Sequence, residues 1–117
     1  MAKFRTIIGV FDSRPEALLA AQLHDADIPF EHNVKIIPGR KFMWDFVIGD
    51  TKLGTDRLLV EINGGVWTYA GHSTGTGIVR DYEKLNLATL SGYRALLFTP
   101  EQVEDGTAIA TIMQYME

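Results

Sequence analysis

Cysteine is absent from the chain. That excludes a disulfide framework and a thiolate zinc site, and it is compatible with the cytoplasm. Long apolar runs are lacking too; none approaches the roughly 18 residues of a membrane span. The opening Met1-Ala-Lys-Phe-Arg5 has neither the apolar stretch nor the cleavage site of a signal peptide. The expectation is a cytoplasmic protein with no membrane partner. An excess of positive charge is also missing. The formal net charge is −4, which counts against a large basic footprint for nucleic acid. It leaves room for an enzyme that holds Mg²⁺, because the ion neutralises local carboxylates and attracts phosphate. No repeat, low-complexity tract or linker divides the 117 residues, and the length suits one domain over 1–117.

What is present is a pair of acids set into two apolar strands. Asp45 lies in Phe42-Met-Trp-Asp-Phe-Val-Ile48, and Glu61 in Leu58-Leu-Val-Glu-Ile62. Isolated ionised carboxylates are costly to bury, so acids in strand interiors are paired, protonated or bound to metal. The bland alternative is a pair satisfied by Arg or Lys in a fold with no activity. The residues around them read as a mixed order. Residues 4–11 form an initial strand or arm. Ser13-Arg-Pro-Glu16 opens a helix as a capping box, and that helix ends near Asp27, before Pro29. Residues 30–37, 41–48 and 57–62 read as strands, with 49–56 as a hairpin loop. Pairing Ile48 with Leu58 places Asp45 opposite Glu61, about 4.5–5.5 Å away at Cβ. A slip of one residue would put the acids on opposite faces. Residues 66–77 read as irregular, 78–91 as a helix ended by Gly92, 93–98 as a strand, and Pro100 onward as a last helix. The order predicts an α/β (α+β) fold, a central mixed sheet flanked by helices.

Three stretches carry a resemblance. They are Lys41-Phe-Met-Trp-Asp-Phe46; Leu59-Val-Glu-Ile-Asn-Gly-Gly65 with His72 downstream; and Asp81-Tyr-Glu-Lys-Leu-Asn86 running into Gly92-Tyr-Arg-Ala-Leu-Leu-Phe98. In this order they resemble the PD-(D/E)XK, or restriction-endonuclease-like, nuclease superfamily, and within it the very-short-patch-repair-like branch of phage and prophage reading frames. The similarity runs from about Ser13 to Val103. It implies a restriction-endonuclease-like fold and a metal-dependent DNA endonuclease. A phage source would place the protein in the bacterial host's cytoplasm.

By that resemblance Asp45 is the metal-binding Asp and Glu61 the second acid, with the Ile62 carbonyl completing the inner shell. Asn63 stands where the superfamily usually has Lys, a departure that puts the activation of the attacking water in doubt. Lys84, on the following helix, can supply the missing cation, and Asn63 can position water. Glu16 sits where this branch carries a further metal-binding acid, although its capping role is a sufficient structural reason for it. Oxygen ligands suit Mg²⁺ or Mn²⁺.

His72 follows a glycine and is a candidate general acid, substrate contact or second-metal ligand; its bland reading is a solvent-exposed loop histidine. Asp81 and Lys84, three apart on a helix, read equally as a surface ion pair. Residues 71–77 lack the Gly-Lys-Ser/Thr ending of a nucleotide loop. Trp44 alternates with Phe42 and Phe46 and reads as core. Trp67 is the better base-stacking candidate. Arg40 and Lys41 are candidate phosphate contacts, or simply a solvated strand start. The partner implied is DNA, on branched, nicked or mismatched duplexes, with RNA inseparable by sequence and a homodimer a candidate assembly. The rival reading is a catalytically inactive nucleic-acid-binding or structural domain that kept the fold.

Overall fold

A computed structural model describes residues 3–63 and 75–117, with backbone only for 75–78. Gly64, Gly65, Trp67 and His72 lie outside the described residues. The chain begins with a small hairpin, β1 (Phe4–Thr6) and β2 (Gly9–Phe11), paired antiparallel. The expectation of one strand or arm over 4–11 is therefore corrected. Ile7-Ile8 hides the turn inside an apolar run, and Thr6 Oγ1 accepts from the Ile8 N–H at 3.0 Å to close it.

Helix α1 (Arg14–Asp25) starts where the capping pattern predicts, with Ser13 Oγ accepting from the Glu16 N–H at 3.3 Å. Pro15 fits the first turn because its missing N–H would have had no intrahelical partner. Strands β3 (Phe30–Val34), β4 (Trp44–Ile48) and β5 (Leu58–Ile62) follow, then α2 (Gly75–Leu90) and β6 (Arg94–Phe98). The two central strands are shorter than predicted at their starts. Helix α2 begins before Ile78, taking in Gly75 and Gly77. Glycine is poor in helix interiors, but the first turn has few intrahelical bonds to lose.

The connection over 49–56 contains a 3₁₀ turn, Thr51–Asp56, with Asp50 Oδ1 accepting from the Lys52 N–H at 2.9 Å. The last helix is two, α3 (Pro100–Glu104) and α4 (Thr107–Met116). Gly106 between them has φ 88°, a left-handed value that interrupts a helix. Thr99 and Gln102 form a reciprocal capping box on α3.

The sheet order is β3-β4-β5-β6, antiparallel except for the parallel β5–β6 pair. Parallel neighbours need a crossover connection, and α2 lies in that connection. Ile48 pairs with Leu58, Val47 with Leu59 and Phe46 with Val60, as the sequence predicts.

Period-two alternation then divides the apolar residues between two cores. Phe46, Ile48, Leu58 and Val60 pack with Leu19 and Leu23 of α1, Val103 of α3 and Ile112 of α4. Val47 and Leu59 pack on the other face with Ala88 and Leu85 of α2. Trp44 is core, as expected, but it joins the α2 side rather than sharing Phe46's cluster. Both central strands are thus buried on both faces, which explains their near-continuous apolar sequence. Among the described residues no helix is long and apolar enough to cross a membrane.

Candidate active site

The regular β4–β5 ladder stops at Phe46 and Val60. One step further the two acids replace it. Asp45 donates its backbone N–H to Glu61 Oε1 at 3.0 Å. Asp45 Oδ2 in turn accepts from the Ile62 N–H at 2.8 Å. Each acid thus satisfies a backbone donor that the strand ladder leaves open, and the two side chains are locked in one register.

Lys84 reaches the pair from α2. Its Nζ donates to Glu61 Oε2 at 2.6 Å and also to the Met43 carbonyl. The ammonium lies 4.5 Å from the centroid of the Trp44 ring, close enough for a cation–π attraction. The Lys84 and Glu61 side chains are only 12% and 23% exposed, so this is a partly desolvated pair, unlike a surface bridge. Among the described residues Asp81 is not in an ion pair with Lys84; the helix-surface pairing gives way to the contact with the strand. Asp81 and Asn63 instead line a small recess with Trp44, Glu61 and Lys84. The Asn63 N–H donates to the Phe98 carbonyl at 2.7 Å, extending the β5–β6 pairing.

Two groups show the cost of crowding acids here. Asp45 is pushed up to about 7, first by burial and then by the charge of Glu61, with Glu16 adding to it. The Ile62 N–H and Lys84 oppose that shift. Glu16 is also raised, first by burial, then by the charges of Asp12 and Glu61. Among the described residues its buried Oε2 has no hydrogen-bond partner. The Ser13 half of the capping box forms, so the cap leaves that oxygen unused.

Buried, mutually repelling carboxylates with an orphaned oxygen suit a hard divalent cation, whose charge would relieve both costs. Asp45, Glu61 and Glu16 fit such an ion in charge and donor type. Among the described residues, no three His, Asp or Glu side chains stand close enough together to form a ligand group; Glu16 is coupled to the pair electrostatically only.

Arg40 and Lys41 lie outside this pair, on the connection from β3 to β4. With Gly39, Phe42, Val79, Arg80 and Glu83 they line a cleft of about 600 Å³. Arg40 is ion-paired with Glu83, and its guanidinium carbon lies 4.8 Å from the Phe42 ring centroid. Arg80 and Glu83 were not singled out by the sequence, although Arg80 stands one helical turn before Lys84, a spacing that puts both on one face. Glu31, on β3, pairs with Arg57 at 3.1 Å. His24 is exposed and stands beside Asp25, while His32 packs against Phe11.

No family model and no curated protein sequence matches the chain. Among solved structures it is similar to the catalytic domain of the homing endonuclease I-Bth0305I, with a TM-score of 0.62. The match is 22% identical and covers 88% of this chain and 92% of that one. At that identity the likeness shows the fold alone: the sheet and its flanking helices are arranged much as in that domain.

Proposed function

We propose that the protein is a metal-dependent DNA endonuclease of the PD-(D/E)XK type, one nuclease domain over 1–117. The observation that carries this reading is the Asp45–Glu61 pair, crossed at the end of two central strands and met there by Lys84. The likeness to an endonuclease catalytic domain supports it, as does the order of motifs typical of the very-short-patch-repair-like branch.

Asp45 and Glu61 would hold Mg²⁺ or Mn²⁺, with the Ile62 carbonyl as a further oxygen donor and Glu16 acting on the ion through its charge. When bound, such an ion supplies positive charge to the phosphate and lowers the pKa of water. Lys84 offsets negative charge on the attacked phosphate. It is held ready by Glu61 and the Met43 carbonyl. Asn63, lining the same recess, orients water. His72 would donate a proton to the leaving oxygen or contact substrate. Arg40, Lys41 and Trp67 would bind the nucleic acid, with branched, nicked or mismatched duplexes as the substrate class.

A second reading has its own observation. Both Glu61 oxygens already have partners, Asp45 N–H and Lys84. That satisfied arrangement, with Asn63 in the usual lysine position, also suits a nuclease fold that binds nucleic acid without cutting it.

The deciding experiment incubates supercoiled plasmid and a synthetic branched duplex with the protein in Mg²⁺, Mn²⁺ or EDTA. Nicking that needs metal and is lost in Asp45→Ala and Glu61→Ala is expected. No cleavage in either metal would sink the catalytic reading and favour the binding domain.

A further inference from the structure

The cleft of about 600 Å³ beside the acid pair is built from two segments distant in sequence, the start of the β4 approach and the first half of α2. It gathers Arg40, Lys41 and Arg80 around one acid, Glu83. On a chain whose net charge is −4, this is a local concentration of cations. Its walls include Phe42 and Val79, apolar surface of the kind that packs against sugars and bases. The Arg40 guanidinium is planar, stacked on Phe42 and tied to Glu83.

The cleft and the candidate active site are neighbours along the chain, lined by consecutive residues and sharing none. Phe42 precedes Met43, whose carbonyl accepts from Lys84, and Glu83 precedes Lys84, which holds Glu61. Arg80 and Lys84 are four apart on α2 and share a face. A strand with one phosphate at Lys84 would run its neighbouring phosphates into the cleft.

We infer that this cleft seats the backbone phosphates flanking the one attacked, gripped by Arg80 and Lys41, and by Arg40 once phosphate displaces Glu83. The inference rests on the nucleic-acid reading of the adjacent acid site and extends it to Arg80 and Glu83. Arg40 then trades one anionic partner for another. Guanidinium binds phosphate and carboxylate in the same bidentate manner, so the trade needs no new geometry. Glu83 acts as a built-in competitor, weakening the hold on any polyanion that cannot displace it.

The test is fluorescence anisotropy with a labelled duplex and a labelled single strand of equal length, in Ca²⁺ and again in EDTA, over a range of salt. Arg80→Ala and Lys41→Ala are each expected to weaken binding about 5- to 10-fold and to lower the slope of log affinity against log salt by about 1. Glu83→Gln is expected to tighten binding about 3-fold or more. Arg94→Ala, at an exposed position on the far sheet edge, should change neither by more than about 2-fold. Unchanged affinity and slope in the Arg80 and Lys41 variants would overturn the inference. So would equal competition by inorganic phosphate and DNA at matched phosphate concentration. DNA held through these residues without cleavage in any metal would uphold the cleft and sink the hydrolytic reading. Cleavage that the cleft variants leave untouched in KM would do the reverse.

Discussion

Asp45 accepts a hydrogen bond that favours its charged form, yet burial and two neighbouring acids favour the neutral one. Burial comes first among these influences, and the balance lifts it from 3.8 to about 7. The sign of the stability effect follows. Between those two values the folded chain binds this proton more tightly than the unfolded chain does. Stability therefore falls as pH rises through that window, and above about 7 the cost of the buried charge is fully present. Asp45→Asn keeps an acceptor for the Ile62 N–H and removes the charge. It is expected to stabilise the protein by about 1–3 kcal/mol at pH 8 and by almost nothing at pH 4. Urea melts of both proteins at the two pH values check this; equal gains at both would show that the charge is irrelevant. The same substitution should abolish cleavage. Stability and activity would then oppose each other at one atom pair, as expected where a functional site keeps like charges close.

At the scale of elements, the strand register was legible because Ile48 and Leu58 flank a turn-rich connection and both strands are apolar on either side of their acid. The contact between Lys84 and the acids was legible only through a family likeness, since 23 residues separate Lys84 from Glu61. Other features left weaker traces. The β1–β2 turn is masked by two isoleucines, and Gly106 reads as an ordinary helix residue until its positive φ is known. The Arg40–Glu83 pair spans 43 positions, and no local spacing rule reaches that far. Gly49 ends β4 with φ 114°, and an added Cβ would stand 3.1 Å from Leu53 Cδ1 and 3.4 Å from Arg57 Cγ. The turn that sets the β4–β5 register therefore depends on glycine for both its backbone and its space. Gly49→Ala is expected to cost about 1–3 kcal/mol, read from the midpoint of a urea melt. Gly106→Ala, also at positive φ (88°) but in the ordinary left-handed region and with open space around it, should cost less. Equal losses would show that crowding at Gly49 contributes nothing.

Across the whole molecule, the acid site lies where two cores meet. Helix α1 brings Glu16 from the side of one apolar cluster, and α2 brings Lys84 from the side of the other. A ligand that neutralises Asp45, Glu61 and Glu16 would therefore tie both layers to the same sheet end. Such a ligand binds the folded chain and raises its stability as RT ln(1 + [L]/Kd). At a Mg²⁺ concentration 100 times Kd the gain is about 2.7 kcal/mol. Differential scanning fluorimetry should show a melting temperature that climbs with Mg²⁺ or Mn²⁺ at pH 8. The climb should be smaller at pH 6, where protons compete for Asp45, and absent in Asp45→Asn. A rise of equal size in that variant would place the ion elsewhere.

The Ile62 amide donates its proton to Asp45 Oδ2 at 2.8 Å. Most amides in a sheet face carbonyls, which do not titrate. This one faces a carboxylate poised near neutrality, so its resonance in a ¹H–¹⁵N spectrum becomes a native reporter of the site. It would drift across the neutral range as Asp45 loses its proton and move again when a cation takes that proton's place, reading out occupancy with no substrate added.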